Sequence, residues 1–124
     1  MALILHESAE MYLETIHILH EEKGRVRSVD IAQRMGYSKP TISEWMGKLR
    51  DAGYVQVDSS GGISLTEKGE EVANHIYERH VALTSFFEKI GVSSQTAEDD
   101  ACRVEHYISD ETFNAIKAHL DTLD

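Results

Sequence analysis

The stretch from Ser28 to Leu65 constrains this chain most, because it packs two short helical patterns, a tight turn and a strand pair into an order that few folds accommodate. Ser28 is placed to cap a short helix carrying Ile31, Ala32 and Met35, which Gly36 closes as a natural left-handed C-terminal residue. Ser38 then opens a second helix reaching Asp51, in which Pro40 is tolerated because first-turn N–H groups have no partner inside the helix. Ile42, Trp45 or Met46, and Leu49 form its inward face. Small polar groups crowd its start: Ser38, Lys39, Thr41 and Ser43 stand where a recognition helix reaches base edges or phosphates in the major groove. Gly53 ends that helix. Tyr54-Val55-Gln56-Val57 alternates as a strand, Asp58-Ser59-Ser60-Gly61-Gly62 is rich in turn formers, and Ile63-Ser64-Leu65 returns as the partner strand. A helix-turn-helix followed at once by a two-stranded ribbon is the winged-helix order, and it is far more specific than either half alone. The competing use of the same order is a winged helix that contacts protein.

Helical periodicity accounts for the rest. Ser8 can cap a helix with Tyr12, Leu13, Ile16 and Leu19 on its apolar stripe, ending near Gly24. Thr66 can start a long helix bearing Val72, Ala73, Ile76, His80, Leu83, Phe87 and Ile90, closed by Gly91. Residues 93–96 supply caps for a helix with Ala97, Ala101, Val104 and Ile108, and Ser109-Asp110 opens a last one through Phe113, Ile116 and Leu120. The expected fold is mainly α: an N-terminal winged helix-turn-helix DNA-binding domain at 1–70, then an α-helical dimerisation domain at 71–124.

A chain of 124 residues holds a real core yet is marginal without a partner, so dimerisation is expected. Its net charge of −10 argues against a polyanionic partner, but the distribution is uneven. Lys23, Arg25, Arg27, Arg34, Lys39, Lys48 and Arg50 outnumber Asp30, Glu44 and Asp51 over the helix-turn-helix, while the remainder is strongly acidic. Such a protein is drawn to DNA weakly until something else, such as bound cations, raises the attraction. No apolar run approaches the roughly 18 residues of a membrane span, and Met1 to Leu5 is too short and uncharged for a signal peptide. A cytoplasmic protein is expected, with no membrane partner. The lone Cys102 cannot form an internal disulfide and is therefore a ligand, a redox sensor or a small core filler.

Cys102 introduces the second informative stretch, Ala101-Cys102-Arg103-Val104-Glu105-His106. If helical, its i, i+3, i+4 spacing sets the thiol, the Glu105 carboxylate and the His106 imidazole side by side. A cation such as Fe2+ or Mn2+ takes about five or six donors, so one helix face cannot surround it. Met11, Glu14 and His80 are candidates for the remainder. The residues alone leave an ordinary reading open: a solvated Glu-His pair, Met11 as core filler, Glu14 as a surface charge and His80 as a satisfied core histidine.

Taken together, Ala9-Glu10-Met11-Tyr12-Leu13-Glu14, the recognition-helix start Ser38–Ser43, the wing with Leu65-Thr66-Glu67-Lys68-Gly69, Arg79-His80 and the run Ala101–Asp110 resemble the iron- and manganese-dependent repressors of the diphtheria toxin repressor family. The likeness covers nearly the whole chain. It implies a homodimeric, metal-activated repressor of metal-homeostasis genes, not an enzyme, that binds a palindromic operator in double-stranded DNA. The metal ligands it implies are Met11, Glu14, His80, Cys102, Glu105 and His106. It also implies that Ser38, Pro40, Thr41 and Ser43 touch base edges or a thymine methyl, while Arg27, Lys39, Lys48 and Arg50 hold phosphates.

The chain mixes the two types within that family. Met11 with Cys102 is the pairing of iron-type members, where short manganese-type members carry Asp and Glu; Glu14 resembles the manganese type. Fe2+ is therefore the favoured ion and Mn2+ the alternative. Glu98 and Thr84 stand where iron-type relatives place the His and Glu of an ancillary site, and Glu98 remains able to ligate. The sequence ends at Asp124, so the short form without an SH3-like domain is expected. The second functional reading is a winged-helix regulator sensing oxidants through Cys102. A metallohydrolase using a metal-activated water near Glu105 ranks last, since no separate general acid or cleft-forming insertion is evident.

Overall fold

A computed structural model describes residues 7–123; the Met1–Leu5 segment weighed above as a leader lies outside the described residues. In chain order come α1 (Glu7–Lys23), α2 (Ser28–Met35), α3 (Lys39–Asp51), β1 (Val55–Val57), β2 (Ile63–Leu65), α4 (Glu67–Lys89), α5 (Ser94–Val104) and α6 (Asp110–Leu120). Two compact units result, one running through Asn74 and the other beginning at His75, so α4 contributes its first turns to one and its remainder to the other. Among the described residues, no helix is long and apolar enough to cross a membrane.

The first unit is the winged helix. Tyr12, Leu13, Ile16 and Leu19 of α1 join Ile31 of α2, Ile42, Met46 and Leu49 of α3, and Val26, Tyr54, Val55, Ile63 and Ala73 in one buried core. The choice between Trp45 and Met46 falls to Met46, because positions 42, 46 and 49 share a face; Trp45 packs at the edge, its ring 5.1 Å from that of Tyr12. Two caps differ from expectation. Ser8 and Ser28 lie inside their helices; Arg27 is the N-cap of α2, and Asp30 accepts the Arg27 backbone N–H at 2.9 Å, a three-residue reach that replaces a serine cap. Gly36 closes α2 at φ 73°, its N–H bonded to the carbonyl of Ala32 at 2.9 Å. Ser38 caps α3 by accepting the Thr41 N–H at 3.4 Å.

The wing is antiparallel, with Val55 opposite Leu65, Gln56 opposite Ser64 and Val57 opposite Ile63, and Ile63 also donates to the carbonyl of Val26 at 2.7 Å. Asp58 organises its tip by accepting the backbone N–H groups of Gly62 at 2.8 Å and Ser60 at 2.9 Å. Those two bonds, with the Ser60 hydroxyl and Arg25, pull the Asp58 carboxyl from 3.8 down to about 2. Thr66 ties wing to helix: its hydroxyl donates to Gly53 O at 2.6 Å and accepts the Gly69 N–H at 3.1 Å, so it caps α4 as expected.

The second unit has a small core: Ala82, Leu83, Ala101 and Phe113 are buried, flanked by Phe87, Val104, Ile108, Ile116 and Leu120. Tyr77, Val81, Ile90 and Tyr107 are exposed on it. A cluster of this size is small for an independent domain, and an apolar surface left over is the usual mark of an incomplete assembly.

Candidate metal centre and nucleic-acid interface

In the second unit, α4 and the end of α5 bring three chemically matched groups together. His80 projects from α4, and its Nδ1 lies 2.9 Å from Oε2 of Glu105. The other oxygen of the same carboxylate, Oε1, lies 3.2 Å from Nε2 of His106. Glu105 is wholly buried and the His106 side chain is 1% exposed. A buried carboxylate flanked by two imidazoles is a nitrogen and oxygen donor set suited to Mn2+, Fe2+ or Zn2+. Two donors that are each about 2.1 Å from one cation and at right angles to each other lie about 3 Å apart, which is the spacing found here. The residues therefore fit a divalent ion.

The local fold explains the placement. α5 is regular only to Val104; Glu105, His106 and Tyr107 form a turn in which the Glu105 N–H still bonds to Ala101 O at 2.9 Å, and Tyr107 and Ile108 both donate to Val104 O. Glu105 thus keeps its helical direction while the chain turns away. Of the three residues foreseen on one face, Cys102 is exposed on α5, and the Glu105 and His106 side chains are buried.

A residue missed in the sequence holds this turn. Arg79 is 7% exposed, and its Nη1 donates to the carbonyls of Ile108 at 2.6 Å and Glu105 at 3.3 Å. Its Nη2 pairs with the carboxylate of Asp110, and the guanidinium lies 5.3 Å from the Phe113 ring centre. Spacing carried the signal: Ile76, Arg79 and Leu83 recur at three and four, so the buried stripe of α4 runs through Arg79, with His80 half-exposed beside it. An arginine on a buried stripe demands acceptors.

Met11 and Glu14 are three residues apart on α1, in the first unit. Glu98 is exposed on α5. Thr84 has a buried hydroxyl without a hydrogen-bond partner among the described residues.

On the winged helix, Ser38, Lys39, Pro40, Ser43, Lys48 and Arg50 are exposed, and Thr41 is half-buried with its hydroxyl 2.9 Å from that of Ser38. Lys48 sits 3.3 Å from Glu44 and 4.9 Å from the Trp45 ring centre; Arg50 is 3.4 Å from Asp51. Such exposed pairs are worth about 0–1 kcal/mol and exchange readily for phosphate. Arg27 donates to Ser60 O at 2.7 Å, and Arg25, not singled out before, donates to the Ser60 hydroxyl at 2.7 Å. Both arginines are therefore braced against the wing tip.

A winged helix with an exposed, polar recognition-helix start, followed by a helical unit with a buried carboxylate-imidazole cluster, is the architecture of a winged-helix transcription regulator. Comparison with known proteins narrows the class. Residues 4–63 match the iron dependent repressor N-terminal DNA binding domain, and residues 66–124 match the iron dependent repressor metal binding and dimerisation domain. The chain belongs to this family of metal-dependent transcriptional repressors. It is 38% identical over 112 residues to the transcriptional regulator MntR of Salmonella typhimurium, covering 90% of this chain and 71% of the relative. It is 32% identical over 119 residues to an uncharacterized HTH-type transcriptional regulator of Methanocaldococcus jannaschii, covering 94% and 95% of the two chains. Among solved structures it is similar to a manganese-dependent transcriptional repressor in complex with manganese, with TM-score 0.83 and 31% identity over 91% of this chain and 52% of that one. It is also similar to the manganese regulator SloR, with TM-score 0.78 and 27% identity over 96% and 55%. The chain thus spans about half the length of these solved relatives.

Proposed function

We propose that this chain is a cytoplasmic, homodimeric repressor that binds a palindromic operator when loaded with Fe2+ or Mn2+ and so controls metal-homeostasis genes. The observation that carries the reading is the His80–Glu105–His106 cluster in a chain whose other unit is a winged helix. Met11, Glu14 and Cys102 complete the ligand set in this proposal, since one carboxylate and two imidazoles leave an octahedral ion short of donors. Glu98, exposed on α5, is at most an ancillary ligand. When bound, the ion would supply positive charge at these donors and neutralise the Glu105 carboxylate.

The division of labour proposed for the chain's own residues follows from their places. Residues 1–70 read DNA: Ser38, Pro40, Thr41 and Ser43 at the start of α3 meet base edges, and Arg27, Lys39, Lys48 and Arg50 meet phosphates. Residues 71–124 dimerise and bind metal, and the exposed Tyr77 and Val81, four apart on α4, favour a covered face there.

Fe2+ is supported by the soft ligands Met11 and Cys102. Mn2+ is the second reading, supported by the manganese named for two of the similar solved proteins. Selection from a random duplex pool, with each ion under anaerobic conditions and with chelator, tests the whole reading. The expected product is a palindrome with half-sites about 34 Å apart, enriched only with metal. Equal enrichment in chelator contradicts it.

A further inference from the structure

Arg79 and His80 are adjacent on α4, and both grip Glu105. His80 meets its carboxylate at 2.9 Å, while Arg79 donates to its backbone carbonyl at 3.3 Å. The same guanidinium spans to Ile108 O at 2.6 Å and to the carboxylate of Asp110 at the first turn of α6. These acceptors bracket the turn that carries Glu105 and His106 out of α5, a segment past the last regular helical residue, Val104. Helix ends fray, and a turn without such a brace moves its side chains with it.

We propose that Arg79 is a positioning residue of the metal centre: it presets the turn at 105–108 so that the Glu105 carboxylate and the His106 imidazole are in place before the ion arrives. This rests on the metal-binding reading above. The guanidinium is a rigid planar fork that meets two carbonyls and a carboxylate at once, whereas a lysine ammonium is a compact point charge on a flexible stem. Charge acts in the same direction. A buried cation next to a cation site opposes metal binding unless it is neutralised, and Asp110 neutralises it. Arg79 therefore needs both its shape and its counter-ion for the site to stay competent. A purely structural role in docking α6 predicts something else: lower thermal stability, with unchanged metal affinity in the folded protein.

The test uses the full chain with Arg79→Lys and Asp110→Asn. Calorimetric or competition titration gives the Mn2+ affinity, the Co2+ d–d absorption spectrum reports ligand geometry, and metal-free thermal unfolding reports stability. Arg79→Lys is expected to weaken Mn2+ binding about 10–100-fold, the range for losing a group that orients a ligand, and to alter the Co2+ bands. Asp110→Asn, a change at an exposed carboxylate, is expected to weaken Mn2+ in the same direction by a smaller factor. Folded Arg79→Lys that binds Mn2+ within about twofold of wild type with an unchanged Co2+ spectrum overturns the proposal, whatever its thermal midpoint. Should Arg79→Lys fail to fold, Asp110→Asn decides by the same criteria. A wild-type chain that binds neither Mn2+ nor Co2+ removes the metal-binding reading itself, and this proposal with it. Wild-type binding with unchanged variants removes only the role of Arg79.

Discussion

At the scale of single residues, the proposed metal centre rests on Glu105, whose two oxygens each face an imidazole. Glu105→Gln keeps the shape but removes the charge and one acceptor, so Mn2+ affinity measured by titration should fall by more than about 100-fold, beyond the loss expected for an orienting neighbour. Affinity close to wild type would mean that the cluster is a salt-bridge network and no site. In the proposed site, metal choice is assigned to two other positions. Met11→Asp with Cys102→Glu replaces soft donors with hard ones and should shift activation of DNA binding toward Mn2+, read anaerobically as the ratio of free-metal midpoints for the two ions. An unchanged ratio leaves selectivity with Glu14, His80, Glu105 and His106. On the recognition helix, Lys48 is expected to meet phosphate. Lys48→Ala should weaken all sequences alike and reduce the salt slope by about 1, whereas Thr41→Ala should relax preference at one or two base pairs.

At the scale of elements, the junction between wing and α4 leaves no room for a side chain at Gly69. A Cβ added at Gly69 would lie 2.1 Å from the backbone oxygen of Tyr54, which also accepts the Thr66 N–H at 3.0 Å and cannot retreat without losing that bond. Gly69→Ala should therefore destabilise the fold by about 1–3 kcal/mol, the range for overpacking, visible in denaturant unfolding. The wing tip responds to pH instead. Because backbone donors lower the Asp58 pKa to about 2, its ordering of the tip is complete above the ordinary value of 3.8 and is lost as pH falls through about 2. The amide shifts of Ser60 and Gly62 should inflect there; inflection near 3.8 would mean that Asp58 does not hold the loop. Element order was legible because it rests on periodicity and glycine placement, local properties of the chain. The cap of α2 was not, because Asp30 reaches back to Arg27 and makes a serine cap unnecessary, a choice between neighbours that spacing does not decide. Likewise Glu105 and His106 were readable as a pair, but their burial in a turn just past Val104 depends on where α5 stops. Arg79 hid because charge suggests exposure, while its acceptors are backbone carbonyls that no sequence displays.

At the scale of the whole molecule, acidic composition and DNA binding are reconciled only if affinity is conditional. The net charge of −10 is concentrated outside the helix-turn-helix, so divalent cations held as proposed near His80, Glu105 and His106 would offset part of it. If about 1% of metal-free dimers hold the recognition helices at the spacing the operator needs, apparent affinity falls ~100-fold. The most direct measurement is fluorescence anisotropy of the selected palindromic duplex titrated with the full chain at fixed ionic strength, with saturating Mn2+ or Fe2+ and with chelator. The account predicts specific binding with either ion and at least about 100-fold weaker binding with chelator, restored on adding metal back. Equal affinity with and without metal would contradict it.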